Sequence, residues 1–413
     1  MRKNYLVNVN KQVKEFFVKS VDKITHKNVN VLVGDSIITT TNLAKKIVDR
    51  ISSRIIEKFI VNGYIYLYCD DNCLYNYNPK DKTFKKVCEC KGQPILTSVI
   101  INSEKNVLVI EENATYVAGQ TVDVGTAVYG TVATTFKGKC FVAKDNLVYI
   151  SHPINLATET MNVSPLNVLT LDKQWGNVLD LICFDYYLLI VCEKAFYKLK
   201  TNYSEEYSLE KVNMGNIEVM PKSLIVVGDR LYFITNQKIC YYDDGVIKTE
   251  NTIYDKYLNT FCDKAQAYKQ YFILQVSVEE KKYILFFDTL TKQCFIIDSE
   301  GESLLGENCV YVLENRDLKI IDEGAYDQGE WESVPLTFNN NNKKAICEVS
   351  MYASQPCNLF ISGDFGSKSF NVHQGCFVLK TNLISSVFNL RINIPNSHCC
   401  ISDMSIKYRI MEG

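Results

Sequence analysis

A hairpin-like alternation of apolar and polar residues recurs along most of this chain, and it limits the possible folds more than any other feature. The pattern is clearest at residues 138–151, on both sides of a turn centred on Asp145. Similar hairpins occur at residues 61–77, 102–117, 184–199, 227–242, 268–288 and 306–322. A repeat of about forty residues that consists of strands alone is typical of four-stranded propeller blades, because one blade cannot bury both of its faces. We therefore predict a degenerate β-propeller over residues 59–334 with about six blades, five and seven being the alternatives.

The composition favours strands throughout the chain. Apolar residues make up 47% of the 413 residues and aromatic residues 12%, which is enough for a packed core. Tyr and Phe are abundant, at 26 and 20 residues, and both favour strands over helices. No stretch approaches the roughly eighteen consecutive apolar residues of a membrane-spanning helix. We expect an all-β protein that does not insert into a membrane.

The pattern changes after residue 334. Short alternating segments follow at a spacing of roughly ten residues, which is typical of a β-sandwich. They lie at residues 345–353, 357–363, 368–372, 377–381, 387–394 and 401–410. We predict a C-terminal β-sandwich domain over residues 335–413.

Residues 1–58 are the least regular part of the chain, and we predict an irregular N-terminal arm there. Within it, Leu43, Ile47 and Ile51 recur at every fourth position with basic residues between them, as on one face of a helix. A strand is the alternative, because Ile and Val are stiff at χ1 and favour sheets. An apolar stripe of this kind needs a surface to bury against, so these three residues are candidates for an interface.

Trp175 is a further candidate interface residue. It follows a long polar loop that interrupts the repeat, and long loops on a rigid scaffold often carry function. The alternative is that Trp175 packs under the edge of a blade.

The sixteen cysteines are predicted to be reduced and mostly buried. Residues 1–10 lack the apolar segment of a secretion signal, and most of the cysteines stand singly on predicted strands. Free cysteine behaves as a small hydrophobic residue in proteins made in a reducing cytoplasm. The clearest cases are Cys140, Cys183, Cys192, Cys240, Cys294 and Cys309.

The chain carries no recognisable catalytic signature. Phosphate-binding loops and the HExxH and GxSxG motifs are absent from the sequence. The pair Cys88 and Cys90 lacks further Cys or His at ligand spacing, so it is a poor zinc site. The four histidines are far apart in sequence and are expected on the polar surface. We therefore expect no catalytic residue, no metal, no cofactor and no enzyme activity.

One stretch of about 65 residues resembles a known family. A hairpin ends in VYIS at residues 148–151, a loop with His152, Pro153 and Asn167 follows, and Gly176 precedes a second hairpin that ends in AFYKL at residues 195–199. This order is similar to that of the β-propeller tail proteins of tailed bacteriophages, the tail-nozzle or packaged-DNA stabilisation family.

The resemblance implies a virion component that is made in the host cytoplasm and works in the phage tail. Such proteins form a ring, commonly a hexamer, beside the portal, adaptor and other tail proteins. The ring extends the DNA channel, retains the packaged genome and lets the double strand pass without sequence readout. The net charge of −2 is compatible with weak contact to passing phosphate.

Two other classes of function remain open. One is an intracellular β-propeller scaffold for protein interactions. The other is a propeller lyase or glycosidase, which would need His, Arg or carboxylate groups that converge at the central channel.

Overall fold

The computed structural model shows an almost entirely β-structured protein. It describes residues 3–7, 13–20, 25–29, 31–33, 37–40, 43–50, 53–61, 64–78, 83–155, 157–184, 186–201, 207–212, 217–243, 245–260, 264–298, 303–306, 310–314, 317–323, 326, 328–338 and 342–411. Within these ranges the only helical segments are two 3-10 turns, Lys173–Trp175 and Asp255–Thr260. The prediction of an all-β fold is confirmed.

Six strands precede the repeat. They are β1 (Lys3–Val7), β2 (Val13–Ser20), β3 (Thr25–Val29), β4 (Val31–Val33), β5 (Ile37–Thr40) and β6 (Leu43–Arg50). The segment that contains Leu43 and Ile47 is therefore a strand, and a helix there is wrong.

Seven consecutive antiparallel blades follow within the described residues, so the propeller has seven blades, which is one of the predicted alternatives to six. The first blade is β7 (Ile55–Val61), β8 (Tyr64–Cys69), β9 (Cys73–Asn78) and β10 (Thr83–Glu89). The second is β11 (Ile95–Ile101), β12 (Glu104–Ile110) and β13 (Thr115–Val117). The third is β14 (Val132–Phe136), β15 (Lys139–Lys144), β16 (Leu147–Ser151) and β17 (Pro165–Thr170).

The remaining blades repeat this order. The fourth is β18 (Val178–Cys183), β19 (Leu188–Cys192), β20 (Phe196–Thr201) and β21 (Tyr207–Val212). The fifth is β22 (Ile225–Val227), β23 (Arg230–Thr235), β24 (Lys238–Asp243) and β25 (Val246–Glu250). The sixth is β26 (Gln266–Tyr268), β27 (Tyr271–Val278), β28 (Lys281–Asp288) and β29 (Cys294–Asp298). The seventh is β30 (Ser303–Gly306), β31 (Val310–Glu314) and β32 (Asp317–Glu323), with β6 as its fourth strand.

Tight turns account for the sharp hairpins of the blades. Asn236 and Gln237, between β23 and β24, have φ angles of 48° and 58°. Glu279 and Glu280, between β27 and β28, have φ angles of 50° and 68°. Two successive residues with positive φ give the two-residue turn whose twist matches that of the flanking strands. The acidic pair at residues 279–280 is therefore part of a turn.

Apolar clusters between successive blades hold the ring together. Each of seven clusters joins one blade to the next, and the last joins Leu318 of β32 to Ile65 and Leu67 of β8. The first strand of the seventh blade, β30, also contacts β7 of the first. The ring therefore closes between the seventh and first blades, with β6 as the outer strand at the closure.

The C-terminal strands form the predicted sandwich together with strands from the N-terminal segment. They are β33 (Gly329–Ser333), β34 (Lys344–Ala353), β35 (Cys357–Gly363), β36 (Gly366–Val372), β37 (Gly375–Ser385), β38 (Phe388–Ile394) and β39 (Cys400–Ile410). One sheet has the order β1-β2-β39-β34-β37, with β5 and β4 added beside β39. The other has the order β3-β33-β38-β35-β36. Buried residues such as Trp331, Ile392 and Ile406 fill the space between the two sheets.

Strand β3 links the sandwich to the propeller. It pairs with β33 on one side and, at Val29, with Ile296 of β29 on the other. The buried Asn28 accepts a hydrogen bond from the Tyr254 hydroxyl over 2.7 Å and donates to the carbonyl of Cys294 over 2.9 Å. The segment predicted as an arm thus supplies strands to both other regions. The boundaries at residues 58 and 334 stay predictions, and backbone hydrogen bonds cross both of them.

Candidate interaction site

The predicted interface residues do not come together on one surface. Leu43 and Ile47 lie on β6, whose backbone pairs with β32, and Ile51 lies outside the described residues. Trp175 is half-buried against the apolar cluster between the third and fourth blades, and the Lys211 ammonium lies 3.0 Å from the centre of its ring. Trp175 therefore packs at a blade edge, as the alternative interpretation expects. The role of these four residues in an interface stays a prediction.

The cysteine prediction is largely confirmed as a statement about burial. Cys140, Cys192, Cys240 and Cys294 are buried, whereas Cys309 lies outside the described residues. Cys183 is exposed, so the prediction is wrong there. Cys183 is the last residue of β18, the first strand of the fourth blade. Its sulfur lies 3.3 Å from the hydroxyl of Thr134 on β14, the first strand of the third blade.

A cleft of about 520 Å³ lies at one end of the sheet that ends in β36. Six of the eleven lining residues carry an amide or imidazole side chain, namely Gln328, Asn358, Asn371, His373, Asn393 and Asn396. The others are apolar: Pro356, Cys357, Val372, Ile394 and Pro395. The volume falls within the range of about 300–1,000 Å³ that is usual for ligand sites. This cleft is the strongest candidate site in the described part of the chain.

Strand register brings three of the asparagines into one row. Asn358 of β35 lies directly opposite Asn371 of β36 on one side and opposite Asn393 of β38 on the other. Glu330 of β33 extends the row beyond Asn393. The neighbours Ile392 and Ile394 point into the sandwich core, so Asn393 lies on the outer face of the sheet. The row presents alternate amide donors and acceptors to whatever enters the cleft.

Asn393 has an unused acceptor. Its Oδ1 atom is buried and has no hydrogen-bond partner among the described residues. A buried carbonyl oxygen without a partner costs about 1–3 kcal/mol. The penalty would be removed if the Asn393 side chain turned toward the cleft and a ligand or water donated an N–H or O–H group to this oxygen.

The cleft continues into a free sheet edge. Strand β36 is the last of its sheet, and no described strand pairs with its outer edge. Five of its seven residues are exposed, and Asn371 and Val372 at its end line the cleft. A free edge offers unpaired N–H and C=O groups to an extended chain.

Other site chemistries find less support in the part of the chain that the structure describes. No group of three or more His, Cys, Asp or Glu side chains there is placed to hold a metal ion. No described helix has the length and apolar character that crossing a bilayer requires. His373 lines the cleft with its ring 6.4 Å from that of Phe377, and His398 packs against Tyr326 at 5.7 Å.

Comparison with known proteins gives no family assignment. No family model matches the chain, and no curated protein matches it. Among solved structures it is similar to BamB from Moraxella catarrhalis, with a TM-score of 0.41 and 8% identity over 78% of this chain and 97% of that one. It is also similar to the WD40 repeats of RRP9, with a TM-score of 0.39 and 8% identity over 71% of this chain and 99% of that one. The assignment of the propeller rests on the strand pairing described above.

Proposed function

We propose that this protein is a binding scaffold that captures an extended segment of a partner polypeptide at β36 and the adjoining amide cleft. The observation that carries the proposal is the continuity of a free strand edge with a row of amides that includes an unpaired buried acceptor. Main-chain hydrogen bonds to β36 would supply affinity, and the amides would hold the end of the segment in the cleft. The rigid propeller would then present this site to the partner.

The exposed Lys368 gives the site a preference for bound segments of negative charge. It is the third of the seven residues of β36, and a residue directly opposite it on an added strand would lie about 5 Å away between Cβ atoms. A like charge there is unfavourable and an acidic one is favourable. We therefore expect bound segments to carry Asp or Glu opposite Lys368.

Selection from a library of random ten-residue peptides tests the proposal. Peptides that bind the full chain should be enriched in acidic residues, and the double substitution N358A/N393A should weaken their binding at least tenfold. The reason is that two hydrogen-bonding groups are lost, at about 1 kcal/mol or more each. The substitution N389A is the matched control, because Asn389 lies on the same strand and face as Asn393 but outside the cleft.

The outcomes of the selection are distinct. Binding that N358A/N393A abolishes and N389A preserves supports the proposal. A library without binders, combined with binding of an oligosaccharide that depends on Asn358, would replace the polypeptide with a carbohydrate ligand. Peptides that bind equally well to both variants would place their site elsewhere.

A ring-forming structural role, as in a phage tail, is the second candidate. One observation favours it: β1 and β37 end the same sheet, so β37 of one copy can pair with β1 of the next, head to tail. Head-to-tail pairing of this kind forms closed rings when the rotation closes. Light scattering of the full chain at several concentrations tests it, since a defined oligomer is expected and a monomer at all concentrations would exclude it. The portal, adaptor and DNA contacts and the virion location stay proposals with it.

A further inference from the structure

A second cluster of titratable side chains lies outside the cleft, between the first and second blades. Cys88 lies near the end of β10, and Cys90 lies just beyond it, two positions further along the chain. A β-bulge between Lys86 and Cys88 shifts the register just before them. Bulges re-aim the side chains that follow and often occur at functional positions.

The second blade supplies the other members of the cluster. The hydroxyl of Tyr116, on β13, lies 3.8 Å from each of the two sulfurs. The same hydroxyl donates to the buried Glu111 carboxylate over 3.0 Å, and Glu111 also accepts from the Lys91 N–H over 3.0 Å. Side chains of the second blade therefore contact the thiol pair that follows the first blade.

The two thiols differ in exposure. Cys90 is buried, at 5% exposure, whereas Cys88 is half-buried and reachable by a small molecule. The neighbouring Cys90 thiol, and to a smaller extent Tyr116 and Lys86, lower the pKa of the Cys88 thiol, whereas burial and the Glu111 carboxylate raise it. The net effect is a lowered pKa for Cys88, while the neighbouring Cys88 and burial raise the pKa of Cys90. Because Cys88 is both the more exposed and the more acidic thiol, it is the nucleophile of the pair.

We propose that Cys88 and Cys90 form a reversible oxidation site, in which a hydroperoxide oxidises Cys88 and Cys90 converts the product into a disulfide. The Cys88 thiolate attacks the terminal peroxide oxygen, the O–O bond breaks, and the leaving oxygen takes up a proton. Cys90 then attacks the Cys88 sulfenic acid, so that an S–S bond forms, the S–O bond breaks and water leaves. Two electrons pass from the thiol pair to the peroxide. Hydrogen peroxide is thereby reduced to two water molecules, and an organic hydroperoxide is reduced to an alcohol and one water molecule.

The chain geometry allows this bond and makes it easy to reverse. Residues two apart on a strand have Cα atoms about 6.6 Å apart, near the upper end of the roughly 4.4–6.8 Å range of disulfides. The backbone at Cys90 is held in place, because its N–H donates to the carbonyl of Asn72 over 2.8 Å. The Cα separation therefore has little freedom to shorten, and a disulfide strained in this way is more readily reduced.

Peptide mapping of the full chain tests the proposal. Trypsin cleaves after Lys86 and Lys91, so residues 87–91 form one peptide that contains both thiols and no other cysteine. After limiting hydrogen peroxide and alkylation, this peptide should be lighter by two hydrogen atoms and carry no alkyl group. Cys376, an exposed thiol of β37 in the peptide of residues 369–380, is the internal control and should stay fully alkylated.

Variants and pH separate the roles of the two thiols. C90S should stop at the sulfenic acid on Cys88, which dimedone traps, and C88S should leave the peptide unoxidised. The oxidation rate at Cys88 should rise with pH and reach half its plateau below the midpoint of an ordinary thiol, which is roughly pH 8.5. Y116F, which keeps the ring and removes the hydroxyl, should move the midpoint to higher pH. An unchanged peptide in the wild type, or equal oxidation in C88S, would overturn the proposal, and an unchanged midpoint in Y116F would contradict the role of Tyr116.

Discussion

A chain that lacks residues 1–50 is expected to lose its cooperative thermal transition. The deletion removes β6, whose pairing with β32 from Asp317 to Glu323 completes the seventh blade at the closure of the ring. It also removes β3, which joins the sixth blade to the sandwich, and β2, which pairs with β39. The free energy of unfolding of a folded protein is only about 5–15 kcal/mol, so the loss of the pairings made by three strands is expected to exceed it. Circular dichroism during heating measures it.

This expectation reverses what the sequence suggests. If residues 1–58 were a separate arm, deletion of residues 1–55 would leave a folded propeller. A chain that lacks residues 1–10 is the control, because it removes only the edge strand β1 and should retain most of the stability. Co-expression of residues 1–52 with residues 53–413 should restore the transition. An unaltered melting temperature for the shortened chain would show that β6 does not close the ring.

The substitution W331A is expected to lower the free energy of unfolding by about 3–5 kcal/mol. Trp331 is fully buried between the sheets of the sandwich, at 0% exposure, so its removal leaves a large cavity. The other tryptophan is the matched control. Trp175 is half-buried at a blade edge, and W175A should cost about 1 kcal/mol. Urea denaturation of both variants gives the comparison, and equal small losses would contradict the burial of Trp331.

The two variants also report on different regions. W331A leaves Trp175 as the sole tryptophan, in the propeller, and W175A leaves Trp331, in the sandwich. Because β3 pairs with strands of both regions, we expect the fluorescence transition and the circular dichroism transition of each variant to share one midpoint. Separate midpoints of the two probes within one variant would mean that the propeller and the sandwich unfold independently.

Local pattern was enough to predict the repeated elements. All seven hairpins expected from alternation fall on paired strands of the seven blades, for example β15 and β16 at residues 138–151. In six blades these are the two central strands, and in the three-stranded second blade they are β12 and the edge strand β13. The six C-terminal strands also lie within a few residues of their expected positions. Alternation is a local consequence of one buried face, so it is visible in sequence.

Long-range pairing was not visible. Leu43, Ile47 and Ile51 repeat every four residues, a spacing that fits a helix and also one face of a strand. What selects the strand is β32, about 270 residues further along the chain. The same dependence on distant partners explains why β3 was not recognised as the link between the two regions.

The candidate site was missed for a related reason. Asn358, Asn371 and Asn393 form a row only when the register of β35, β36 and β38 is known. A signal was nevertheless present, because asparagine is depleted in strands and each of these residues lies within an expected strand. The thiol pair, in contrast, was visible as Cys88 and Cys90, but Tyr116 and Glu111 come from the next blade.

Amide hydrogen exchange of the full chain, with and without a selected peptide, tests the capture of an extended segment most directly. The proposal predicts slower exchange at alternate amides of β36 when the peptide is bound, because those N–H groups then donate to the added strand. Strand β37, which ends the other sheet on the side opposite β1, should exchange at an unchanged rate. Unchanged exchange throughout β36 under saturating peptide, or protection confined to β37, would contradict strand addition at the cleft.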